Sequence, residues 1–124
     1  MIIKSLQSAA AFRAGDGSSL QELLHPSKEP LKIGYSLARA AVRPGDSTLP
    51  HRLKSAEVYF VLEGTGLMHV GPEQAEIGPG QAVYIPPGEV QFIENIGAGE
   101  LAFLCIVDPA WRAADERVLK DPSR

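Results

Sequence analysis

Two stretches decide how this chain folds: residues 45–64, GDSTLPHRLKSAEVYFVLEG, and residues 80–95, GQAVYIPPGEVQFIEN. Each opens on a glycine where the chain must reverse, and then runs into a short apolar segment. From Ala56 to Leu62 side chains alternate faces along a strand, so Glu57, Tyr59 and Val61 point one way and Val58, Phe60 and Leu62 the other. If the strand phase extends back across Lys54-Ser55, His51 and Leu53 share the face of Glu57. In the second stretch Pro86-Pro87-Gly88 fixes a turn between the strands at 81–85 and 90–94.

Working outward, the same rhythm continues. Apolar segments at 20–24, 33–42, 67–70, 74–77 and 100–107 are separated by turn signals such as Arg43-Pro44-Gly45-Asp46, Glu63-Gly64-Thr65-Gly66 and Gly78-Pro79-Gly80. The 12 glycines and 10 prolines fit many short strands better than a helical bundle. No helix alternates with these strands, which disfavours a parallel α/β sheet and indicates an all-β sandwich or barrel. Only the tail changes period. Asp108 is placed to cap a short helix over about 109–119, with Pro109 at its first position and Trp111, Ala114 and Val118 on one face.

At 124 residues the chain suits one domain, with the barrel spanning about 20–108. A net charge of −3 and the lack of any basic run argue against nucleic acid as a partner. The apolar runs are too short to cross a bilayer as helices. The first residues carry no apolar signal core, and the single cysteine, Cys105, calls for no oxidising compartment; a cytoplasmic location is expected. No nucleotide loop or zinc-finger spacing is present, since Gly64-Thr65-Gly66 is a hairpin turn with no helix after it.

The two stretches resemble the paired motifs of the cupin superfamily. The first family pattern, G-x5-H-x-H-x3/4-E-x6-G, is met at Gly45, His51, Glu57 and Gly64, with Leu53 where the second histidine usually stands. The second, G-x5-P-x-G-x2-H-x3-N, is met at Gly80, Pro86, Gly88 and Asn95, with Gln91 in place of its histidine. The resemblance implies a cupin β-barrel, the double-stranded β-helix or jelly roll, whose interior looks onto the face carrying Glu57 and Tyr59.

In a typical cupin three histidines and a glutamate bind a divalent metal. Carried over by position, this implies His51, Glu57 and Gln91 as metal ligands, Gln91 offering only an amide oxygen, around Mn, Fe, Ni or Zn. In that reading Glu57 and Tyr59 also serve catalysis, of isomerase, lyase or oxygenase type, on a small polar substrate. The alternative is a metal-free, non-catalytic barrel that captures a sugar-like or carboxylate ligand, with Gln91 and Tyr59 supplying hydrogen bonds. Val58, Phe60 and Leu62 leave the strand apolar on its outer face too, and a face of that kind must be covered; a homodimer is expected.

Other polar residues have plainer expectations. Arg39 belongs on the surface unless it pairs with Glu57, and His25 in a surface loop. Tyr84 reads as core, His69 as outward-facing, and Cys105 as a small buried hydrophobe.

Overall fold

Turns at glycine and proline cut the chain into short strands, and in a computed structural model that describes residues 1–119 these strands close into two antiparallel sheets. The first sheet contains β1 (Phe12–Arg13), β2 (Ser19–Leu24), β3 (Ser36–Val42), β10 (Leu101–Asp108), β5 (Ala56–Glu63) and β8 (Ala82–Ile85), hydrogen-bonded in that order. The second contains β11 (Glu116–Val118), β4 (His51–Leu53), β9 (Gln91–Asn95), β6 (Gly66–Val70) and β7 (Glu73–Ile77), again in spatial order. This is an all-β barrel, as the spacing of turns and strands implied, in the jelly-roll form that the resemblance to cupins implied.

The core fills the space between the sheets. Tyr59 and Val61 of β5, Phe103 of β10, Ile85 of β8 and Leu101 meet Met68 of β6 and Ile93 of β9, all nearly inaccessible to solvent. Each such side chain contributes about 1.5–3 kcal/mol by leaving water. The rings of Tyr59 and Phe103 lie 4.3 Å apart between centroids, tilted by 32°. Gly64 shows why the first stretch must end in glycine. Its φ is +86°, and a Cβ there would sit 2.5 Å from the Glu100 carbonyl oxygen, so both backbone hand and space exclude a side chain. Asn95, which closes the second stretch, is structural: its buried Nδ2 donates to the carbonyls of Val42 at 2.9 Å and Gly99 at 2.8 Å.

Two expectations change. The segment from His51 to Leu53 does not extend β5; it is a separate strand in the opposite sheet. The chain crosses between sheets at Lys54-Ser55, where Lys54 N–H donates to the Asp115 carbonyl and Ser55 Oγ to the Pro109 carbonyl. His51 and Leu53 nevertheless face the interior, with Arg52 exposed between them.

The tail is helical for only a single 3-10 turn, Ala113–Asp115. Asp108 caps nothing, because β10 runs on through it in register with Ala56. After the turn the chain becomes β11, pairing Glu116 with Leu53 and Val118 with His51. The open edge of β4 explains this: its backbone groups need partners, and a strand supplies them where a helix could not. β1, unmarked in the sequence, likewise covers the edge of β2.

Candidate functional site

The sheets leave a cavity of about 270 Å³ at one end of the barrel. Strands β3 and β10 line it with small or apolar groups, among them Ala38, Ala40, Phe103 and Cys105. β4 and β5 contribute His51, Leu53, Glu57 and Tyr59. The segment around β1 brings Phe12, Arg13 and Asp16 over it, and the tail brings Trp111 and Glu116.

Glu57 is buried, and its Oε1 has no hydrogen-bond partner. Burial is the main reason its carboxyl is raised from an ordinary 4.5 to about 8; Gln91 pulls it partly back by hydrogen bonding, while Asp16 and Glu116 push it further up. At neutral pH this carboxyl is therefore mostly protonated and able to donate. Tyr59 donates its hydroxyl hydrogen to Gln91 Oε1 at 3.1 Å, and burial followed by the Glu57 charge holds that hydroxyl well above its usual range. Gln91 is itself buried and sits directly across the β4–β9 ladder from His51.

His51 Nδ1 lies 2.7 Å from the Leu49 carbonyl oxygen, an acceptor only, so this nitrogen carries the hydrogen. Nε2 is left to face Asp16, whose Oδ2 is 3.9 Å away. The structure thus brings His51, Glu57, Tyr59 and Gln91 into one buried group, although Gln91 stands behind the cavity wall rather than on it.

Asp16 and Glu116 escaped the sequence reading. Asp16 stands between two glycines near the start of the chain and Glu116 in the tail expected to be helical; only the pairing of β1 with β2 and of β11 with β4 carries them to the cavity. The remaining candidates divide. Arg39 reaches Glu63 and Glu100 on the outer face and not Glu57. His69 also points outward, 2.6 Å from Glu94 Oε2 and stacked on Phe92. Tyr84 is outside the core, at 64% exposure, because Ile85 takes the inward position beside the proline turn. Cys105 is buried on the cavity wall, and burial pushes its thiol up, away from the thiolate form.

His25 is buried as well, against the expectation of a surface loop. Ser27 N–H donates to its Nδ1, so Nε2 carries the hydrogen and donates to the Trp111 carbonyl at 2.7 Å. Ser36 Oγ accepts from the Trp111 N–H at 3.0 Å, and the two bonds fix the backbone of Trp111 at the cavity mouth.

The family profile described as a cupin domain matches residues 38–107, which is more than half of the chain. The chain belongs to the cupin family. Among its relatives is an uncharacterised protein of Methanocaldococcus jannaschii, 42% identical over 106 residues, covering 85% of this chain and 84% of that one. An oxalate-binding protein of Thermotoga maritima is 32% identical over 71 residues, 56% of this cupin and 59% of its own length. A solved structure described as a predicted oxalate decarboxylase of Thermotoga maritima superimposes with a TM-score of 0.75 at 25% identity, covering 88% of this cupin and 99% of that chain.

Membership raises the question of a metal, which many cupins hold. Here the orphaned Glu57 oxygen and His51 Nε2 are two good donors. The third and fourth positions are poor ones. Leu53 has no donor atom, and Gln91 Oε1 already accepts the Tyr59 hydroxyl. No group of three or more His, Cys, Asp or Glu side chains is arranged to hold a metal among the described residues. The donor set falls short of the three strong protein ligands of a catalytic site.

Proposed function

We propose that this cupin captures a small organic molecule in the cavity without a resident metal. The protonated Glu57 carboxyl is its hydrogen-bond donor and His51 Nε2 its acceptor. The observation that carries this reading is the buried Glu57 Oε1 without a partner on the wall of a largely apolar cavity. A polar atom left so costs about 1–3 kcal/mol, a cost that a bound ligand removes. Gln91 holds Tyr59 in place and steadies Glu57, and the apolar wall supplies contact area. A proton donor and a proton acceptor on one cavity are also the minimum equipment for acid–base chemistry on a bound substrate.

The experiment is metal content and ligand response together, on tag-free protein and on Glu57→Ala. The expected result is metal well below stoichiometry after incubation with Mn, Fe, Ni and Zn, and a thermal shift with small molecules that is lost in the variant. Stoichiometric metal that disappears in Glu57→Ala would overturn the metal-free reading. It would then assign His51, Glu57 and Gln91 to a divalent ion, with isomerase, lyase or oxygenase chemistry to follow.

We also propose that two copies associate through the outer face of the first sheet. Phe60 is 40% and Leu62 41% exposed there, with Tyr84 alongside, an apolar surface unusual for a face left to water. A cytoplasmic setting accords with the lone, buried Cys105. No helix among the described residues is long and apolar enough to cross a membrane.

A further inference from the structure

We infer that the cavity takes an organic cation about the size of one ring, such as a protonated amine, in preference to a carboxylate. This rests on the cavity being the ligand site, and it adds the chemical class of the ligand.

The charges around the cavity are predominantly negative. Asp16, Glu22 and Glu116 line it beside the protonated Glu57, against one arginine, Arg13. Lys28 pairs with Glu22, but neither Asp16 nor Glu116 has a lysine or arginine partner among the described residues. Asp16 Oδ1 is taken up by the Ser18 N–H and hydroxyl, and Glu116 Oε2 accepts from the Trp111 indole N–H at 3.2 Å. Arg13 turns its guanidinium to the Gly17 carbonyl, 2.9 Å away. The field of these carboxylates is felt inside, where Asp16 and Glu116 both oppose ionisation of Glu57 and Tyr59.

A second and independent feature is the Glu57 carboxyl on the cavity wall, whose buried Oε1 has no partner; even when protonated, a carboxyl keeps a carbonyl oxygen that an N–H donor would satisfy. A third is aromatic. Phe12 and Trp111, brought from opposite ends of the chain, both line the cavity while half-exposed, as expected of rings at its mouth. A cation over such a face is attracted by the ring quadrupole, and an anion is not. The volume is sufficient, since an apolar cavity of ~150 Å³ already holds benzene. A carboxylate ligand such as oxalate would meet the negative charges of Asp16 and Glu116 with its own.

Trp111 is the only tryptophan of the chain, so its fluorescence reports on the tail segment at the mouth of this cavity. Intact protein is titrated at pH 7 with benzylamine, benzyl alcohol and benzoate, which share a ring and differ in charge, and with oxalate. The expected order places benzylamine at least ten-fold tighter than benzoate or oxalate, with that margin shrinking in high salt. The double variant Asp16→Asn, Glu116→Gln keeps the acceptor oxygens for Ser18 and Trp111 and is expected to lose the margin. Benzoate or oxalate binding as tightly as benzylamine would overturn the charge preference while leaving the ligand-binding role intact, as would a margin unmoved in a folded double variant. If no probe binds at millimolar concentration, the ligand-binding role itself fails and this inference with it.

Discussion

The Tyr59 hydroxyl and Gln91 Oε1 form a buried hydrogen bond of 3.1 Å that joins the two sheets, since Tyr59 belongs to β5 and Gln91 to β9. Gln91 also moderates Glu57, so a single amide links a structural bond to the polar end of the cavity. The glutamine that replaces a usual cupin histidine therefore has work of its own.

Removing one partner of that bond tests its weight. Tyr59→Phe keeps the ring against Phe103 but leaves the Gln91 oxygen without its donor in a dry environment. The expected loss is about 1–3 kcal/mol of stability by denaturant unfolding. Gln91→Leu is expected to cost at least as much, because it strands both the Tyr59 hydroxyl and the Glu57 carboxyl. An unchanged midpoint in both variants would mean that water replaces the amide and that the interior is wet.

Glu57 makes stability depend on pH in a definite direction. Its carboxyl stays protonated to about pH 8 in the folded chain but ionises near 4.5 once unfolded. Below the lower value both states hold the proton and no pH dependence arises from this group. Between the two values the unfolded state loses its proton first, so stability falls as pH rises, by at most about 1.4 kcal/mol per pH unit. Above pH 8 the penalty is complete, roughly a few kcal/mol. Glu57→Gln removes the titration, and its melting temperature should gain on the wild type between pH 5 and pH 8. A difference that stays flat over that range would show that the carboxylate is already compensated in the folded state.

His25 acts on the cavity at a distance, through its bond to the Trp111 carbonyl. His25→Ala frees that carbonyl and loosens the Trp111 ring over the mouth. The expected signature is a red-shifted Trp111 emission with easier quenching by acrylamide, and weaker ligand binding with Glu57 untouched. His25→Gln, which can still donate to the carbonyl, should restore most of the wild-type emission. Identical spectra for wild type and His25→Ala would leave Ser36 Oγ as sufficient to hold the segment.

On the outer face, light scattering at micromolar concentration should give twice the chain mass. Phe60→Glu, at an exposed position facing Leu104 and Ala82 across the ladders, should halve it without lowering ligand affinity. A wild-type monomer at that concentration would remove the proposed dimer.

Most of the barrel could be read from the chain because its turns depend on single residues: glycine at 64 is required by both φ and space, and the prolines at 86 and 87 stop a strand wherever they stand. Alternation put Glu57 and Tyr59 on one face of β5 and the cupin resemblance turned that face inward, where both side chains are buried. Long-range pairing was the hidden part. Val118 has helical spacing with Trp111 and Ala114, yet the open edge of β4 draws it and Glu116 into a strand. Asp16 reaches a half-buried position and His25 a buried one through contacts with residues distant in sequence, so no local pattern marks them.

The final prediction turns on Leu53 and Gln91, the two positions where this cupin departs from the usual ligand set. Leu53 is buried on the cavity wall between His51 and Glu57 in sequence, and Gln91 lies across the ladder from His51. Replacing both, as Leu53→His with Gln91→His, would supply three imidazoles and a carboxylate, a complete first shell for a divalent ion. The bound ion would also favour the ionised form of Glu57, because a neighbouring positive charge offsets the desolvation that now keeps it protonated. The double variant should therefore take up near-stoichiometric Mn, Fe, Ni or Zn where the wild type does not, and gain thermal stability on metal addition that chelator reverses. Either single variant should bind far more weakly. If the wild type binds as tightly as the double variant, His51, Glu57 and Gln91 already suffice, and the carboxyl of Glu57 is a ligand rather than a proton donor.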